Sequence, residues 1–172
     1  MDRVKKRNAR KKTKRNALIL TAAELLLVLA VAAGVCYAVY GQQAAVKKYD
    51  TSGCAYDEET VVVTLDAVTQ ELDSIQIWGW AISTEKDTEY FDSWVLLRAE
   101  ESGEYFRIPT AVQTRTDVTE VLGNGEFNYD NSGFYAQVET KRLGQGSYEI
   151  CLAYNVHSDH VIQGTGVTVI ID

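Results

Sequence analysis

At 172 residues the chain has room for one domain beside any anchor, and its formal charge of −7 hides two opposite segments. Nine of its 17 Lys and Arg fall within residues 1–16, whereas 8 basic and 22 acidic residues follow from Gly41 onward, a local charge of −14. An acidic main domain excludes a basic face for nucleic acid or anionic lipid headgroups, and a single proline with 12 scattered glycines excludes a proline-rich stalk.

Residues 1–16 read as a basic cytoplasmic arm, nine cations from Arg3 to Arg15 against the single acid Asp2. Residues 17–40, Ala17 to Tyr40, are 24 residues with one charge, Glu24, and no proline. As a helix they would span about 36 Å at about 1.5 Å per residue, enough for a hydrocarbon core of about 30 Å. Positive ends stay inside, so the arm is expected in the cytoplasm and the acidic part outside. The apolar run exceeds the 7–15 residues usual for a signal-peptide core, and Val35 precedes Cys36 where a lipoprotein would carry a small residue, so an uncleaved single-pass anchor is expected. Glu24 is either a tolerated charge near the inner face or a contact to a partner membrane helix. Ala30, Gly34 and Ala38 have the small-residue spacing of packed helices, but in an alanine-rich segment the pattern says little.

Residues 41–59 read as a polar linker, and residues 60–172 as the outer domain, where the pattern turns to period two. Val61, Val63 and Leu65 alternate with polar neighbours, as do Ile75, Ile77, Gly79 and Ala81. Trp94 to Leu97 is a continuous apolar run. Phe106 and Ile108, then Val112, Thr114, Thr116 and Val118, read as further extended stretches. Phe134, Ala136 and Val138 follow a polar turn, Tyr148 to Val156 alternate cleanly, and Val167, Val169 and Ile171 close the chain. Turn residues such as Asn124-Gly125 and Gly144-Gln145-Gly146 punctuate them. About eight short strands with no helix between them predict an all-β antiparallel β-sandwich, Ig-like or jelly-roll-like, behind one N-terminal transmembrane helix.

Chemistry is sparse. His157, Asp159 and His160 share a turn, but lack a helix to align them and a nearby cysteine, and read as a solvated hairpin. Asp117, Glu126, Asn128 and Asp130 gather oxygen ligands without EF-hand spacing, and turn-forming Asn and Asp explain them as well as calcium does. No G-x-S-x-G elbow or Ser/His/Asp set stands out, so a non-catalytic protein without cofactor or metal is expected, a glycan-active enzyme being the remote alternative. Cys54 and Cys151 are either one long-range disulfide or two separate thiols.

The aromatics carry more. Trp78 and Trp80 share one strand face. Trp80 reads as core, and Trp78, with more polar neighbours, stands open between core and ligand surface. Tyr90, Tyr105, Tyr129 and Tyr135 lie in or beside polar loops as candidates for a ligand rim. Arg115 and Asp117, two apart on an extended chain, would face one side as an ion pair or as a polar anchor beside a glycan groove, with Arg115 organising the 123–133 loop.

In order along the chain, Ile77-x-Gly79-Trp80-Ala81, Arg115-x-Asp117-Val118, Asn131-Ser132-Gly133-Phe134 and Leu143-x-x-Gly146-x-Tyr148-x-Ile150 resemble a bacterial extracytoplasmic β-sandwich module. That module is associated with membrane proteins and glycosyltransferases of cell-surface polysaccharide. The resemblance covers about residues 72–156 and implies a surface-glycan setting and an accessory role; no ligand residues come with it. Together these readings predict a membrane-anchored extracellular domain that binds or helps assemble surface polysaccharide. The alternative is an interaction domain docked on a membrane glycan-synthesis enzyme or another envelope partner.

Overall fold

The computed structural model describes residues 23–39, 41, 45–56, 60–88, 90, 92–155 and 160–172. The basic arm, residues 17–22, Tyr40, and the turn residues His157, Ser158 and Asp159 lie outside them. The chain divides into two compact units, Met1–Gln43 and Ala44–Asp172. In the first, residues 23–39 are helical (α1) and exposed, Glu24 included. Among the described residues no helix is long and apolar enough to cross a membrane; the span expected over residues 17–40 reaches beyond the described part at both ends.

Among the described residues the second unit forms nine strands in two antiparallel sheets, a β-sandwich-like arrangement. The strands are β1 (Lys47–Tyr49), β2 (Val61–Gln70), β3 (Ser74–Ser83), β4 (Ser93–Ala99), β5 (Tyr105–Arg107), β6 (Thr110–Gln113), β7 (Gly133–Glu139), β8 (Gly146–Tyr154) and β9 (Val161–Ile171). One sheet has the order β1-β5-β4-β8-β9 and the other β2-β3-β7-β6.

Period-two alternation explains the core. Ile75, Ile77 and Ala81 of β3 and Phe134, Ala136 and Val138 of β7 turn one face inward. Val95 and Leu97 of β4 and Tyr148, Ile150, Leu152 and Tyr154 of β8 meet them from the other sheet. The Ser83 amide donates to the Tyr154 hydroxyl at 3.1 Å, joining the end of β3 to the end of β8 within the interior. Gly79 is required at its place: a Cβ there would lie 2.3 Å from the Thr64 carbonyl oxygen and 2.7 Å from the Phe134 ring. The ring of Phe134 fills the space that the absent side chain leaves.

Two expectations are corrected. Lys47–Tyr49, placed in the linker, is strand β1 and pairs with β5, while Val46 packs against the core. The extended stretch from Val112 to Val118 ends at Gln113; Thr116–Leu122 is a short helix, α2. Its cause is local. Val118 is buried against Ile82 and Tyr129, the Arg115 amide is drawn to the Asp130 carbonyl at 2.8 Å, and the Gly123 amide closes the last turn on the Thr119 carbonyl at 2.9 Å.

Candidate functional site

With Ile75, Ile77 and Ala81 inside, β3 presents Gln76, Trp78, Trp80 and Ile82 on the outer face of the four-stranded sheet. Register sets their neighbours. Trp78 stands between Ala67 of β2 and Tyr135 of β7, and Tyr135 in turn pairs with Ala111 of β6. The two rings therefore rise from a row whose ends are alanines. Their centroids are 5.0 Å apart and their planes tilt by 40°, a shallow trough rather than one flat surface. Both residues are half-buried. In the next row Gln76 pairs with Gln137, whose Oε1 accepts the Tyr135 hydroxyl at 2.8 Å. Two amides and a phenol thus border the rings on one side.

On the other side lies an arginine. Arg115, at the start of α2, donates from Nε and Nη2 to the two carboxylate oxygens of Asp117 at 2.8 and 2.7 Å, and from Nη1 to Asp66. Gly133 admits it, since a Cβ there would be 2.5 Å from the arginine Cγ. Gly133 pairs with Trp80, and Asp66 sits in the bulge of β2 between Leu65 and Ala67. The side chain therefore crosses β3 beside Trp80, from β7 to β2. The hydrogen bonds to Asp117 lead the causes that hold the guanidinium well above its ordinary value, and the same bonds hold the Asp117 carboxyl below its own. With its fork taken by two carboxylates, Arg115 fixes geometry; α2 is helical here, so the pair does not lie on an extended chain. Arg115 engages the 123–133 loop through its amide, which donates to the Asp130 carbonyl, and through its Cγ, which lies against Gly133.

The remaining candidates scatter. Trp80 is half-buried beneath α2 with Ile82, Val118, Phe127 and Tyr129, a satellite cluster outside the sandwich core. Tyr129, expected at a rim, is 2% exposed in that cluster. Tyr105 is buried on the outer face of the other sheet, its hydroxyl 3.3 Å from that of Tyr56, and burial pushes its phenol up to about 12. Trp94 lies on that second face as well, under the Arg107 guanidinium. Tyr90 is exposed in the β3–β4 connection. Of the aromatics singled out in the sequence, Trp78 and Tyr135 meet ring to ring on the outer face of the four-stranded sheet, while Trp80 joins Tyr129 and Trp94 joins Tyr105 in separate clusters.

Cys54 and Cys151 join one apolar cluster on the outer face of the five-stranded sheet, yet both carry free thiols. Burial pushes the Cys151 thiol up to about 12. The oxygen-rich loop does not converge on a cation. Asp117 faces Arg115, Asp130 accepts the Thr119 hydroxyl at 2.6 Å, and the Asn128 side chain accepts the Asp130 amide at 2.8 Å. Among the described residues no three His, Cys, Asp or Glu could hold a metal ion, and His160 bonds Asn155 at 2.9 Å.

Sequence reasoning missed Gln76, Gln137, Asp66 and the two flanking alanines. Alternation along β3 could have placed Gln76 beside Trp78, but which residues of β2, β6 and β7 stand opposite is a matter of register. Comparison with known proteins finds no matching family model, no matching curated protein and no matching solved structure.

Proposed function

We propose that this chain is a single-pass bacterial membrane protein, its amino terminus cytoplasmic, that holds cell-surface polysaccharide on the outer face of its four-stranded sheet. The pairing of the Trp78 and Tyr135 rings, 5.0 Å apart on an outward face and bordered by Gln76, Gln137 and the Tyr135 hydroxyl, carries this reading. Pyranose rings offer apolar C–H faces to aromatic rings, while their hydroxyls take neutral donors and acceptors such as primary amides. A trough of two tilted rings suits a polymer that twists from one unit to the next. The charge division between residues 1–16 and the acidic remainder supports the orientation.

The test is co-sedimentation of the full chain, in a detergent without sugar headgroups, with insoluble cell-wall polysaccharide from the bacterium that encodes it. Wild-type protein is expected to sediment with the polymer. Trp78→Ala is expected to lose about 2 kcal/mol of binding, roughly 30-fold in affinity, as central aromatic contacts do. Equal retention of the two proteins sinks the reading.

A further inference from the structure

Among the described residues of the β unit, Lys48, Arg98, Arg115, Lys141 and Arg142 each meet a carboxylate. Lys47 and Arg107 meet none, and neither side chain makes a hydrogen bond. These two are neighbours. Lys47 of β1 stands directly opposite Arg107 of β5, and both share the outer face of the five-stranded sheet with Tyr49 and Tyr105, two residues along each strand. Like charges directly opposite on paired strands are destabilising. That pairing stands out in a segment with 22 acidic residues against 8 basic ones. The guanidinium is also held in place. It lies over the Trp94 ring, 2.9 Å from the centroid. Burial holds it below its ordinary value, while Tyr49 and the exposed Asp92 pull the other way without bonding it. Tyr49 is itself fixed by a hydrogen bond with the Asn155 side chain. Stacking occupies the face of the guanidinium and leaves its edge, a fork of N–H donors suited to two oxygens, without a partner.

We propose that Arg107 and Lys47 form a binding site for one carboxylate group, carried by a peptide's C terminus or by a small organic acid. The site lies on the sheet opposite the Trp78–Tyr135 trough and does not rest on the glycan reading. A carboxylate accepts two hydrogen bonds from the arginine fork and pairs with the lysine, which removes the repulsion between the two cations. A stacked sugar ring is not the occupant, because the guanidinium covers the Trp94 face that such a ring would use. Two cations are too few to hold nucleic acid, whose binding neutralises many phosphates at once. A phosphate group carries a charge of about −1.5 to −2 near neutral pH. The surrounding charge of −14, with Asp92 close by, repels it more strongly than it repels a monovalent carboxylate.

The test is an NMR titration of the full chain, in a detergent without sugar headgroups and at fixed ionic strength, following the Arg107 Nε–H and Trp94 indole signals. The probes are N-acetyl-triglycine, its C-terminal amide, sodium acetate and sodium phosphate. The peptide acid is expected to shift both signals saturably, and the amide to leave them unmoved. Acetate binding as tightly as the peptide assigns the site to small acids, and weaker acetate assigns it to peptide ends. Lys47→Gln, and Arg107→Lys, which keeps the charge but loses the fork, are each expected to weaken the peptide about threefold to tenfold. Lys47→Gln is expected to melt at the wild-type temperature or above it, since it removes a like-charged neighbour, which separates lost recognition from lost folding. Trp78→Ala is expected to bind the peptide as the wild type does. A silent Arg107 signal with both carboxylates overturns the proposal, as does an equal response to the amide, tighter binding of phosphate, or unchanged peptide affinity in the two variants.

Discussion

Gly79 and Trp78 are adjacent on β3 and serve opposite faces. Gly79 lets the Phe134 ring into the core beneath the trough, and a methyl group there would meet both that ring and the Thr64 carbonyl oxygen. Gly79→Ala is therefore expected to cost about 1–3 kcal/mol by overpacking, read as a lower urea midpoint with an unchanged slope. Cys151 provides a pH test of the other sheet. Its buried thiol is raised from 9.0 to about 12, so the unfolded chain loses that proton first as pH rises. The stability tied to the neutral thiol is complete below about pH 9 and is lost as pH climbs through about 12. Thermal unfolding between those limits is expected to show a smaller fall in Tm for Cys151→Ala than for the wild type. An identical slope would show that the native thiol ionises freely.

At the scale of elements, α2 and the bulge of β2 are joined by Arg115. With the arginine present, the Asp117 carboxylate stays ionised into acid below its ordinary 3.8. The pair persists at neutral pH and is lost only as pH falls through that lowered value. In Arg115→Ala, Asp117 is expected to titrate at its ordinary value, as followed by carboxyl carbon chemical shifts. Amide exchange at Val118 is expected to quicken, while that of β8 stays unchanged. Similar titration of Asp117 in the two proteins would remove the arginine from this role. The same region marks where sequence reading stops. Strands β3 and β7 were legible because their inward residues alternate cleanly, and β8 because Tyr148, Ile150, Leu152 and Tyr154 do so, although Cys151 and Ala153 are buried on its other face as well. The stretch Val112, Thr114, Thr116, Val118 alternates too, but that pattern cannot register that the Arg115 amide bonds the Asp130 carbonyl across the loop. The helical spacing of Val118, Val121 and Leu122 before Gly123 was the competing signal. β1 offered none, being three residues, two of them lysines. The trough was half legible: Trp78 stood out by composition and Tyr135 as a tyrosine near a loop, but register alone joins them.

For the whole molecule, the division of charge and the architecture point the same way. A basic arm and an apolar run precede an acidic β unit whose outer face carries aromatic rings among neutral amides. The proposed orientation gives that face access to wall polymer, and the chain's 3 tryptophans make it readable. The most direct measurement is an NMR titration of the full chain, in a detergent without sugar headgroups, with surface polysaccharide from its own bacterium, following the three indole N–H signals. A glycan held in the trough is expected to move Trp78 saturably while Trp94, on the opposite sheet beneath Arg107, stays still, and a Trp78→Ala chain is expected to bind roughly 30-fold more weakly. Three stationary indoles and an unshifted backbone would contradict the glycan-binding account and leave docking on a membrane enzyme as the reading to pursue.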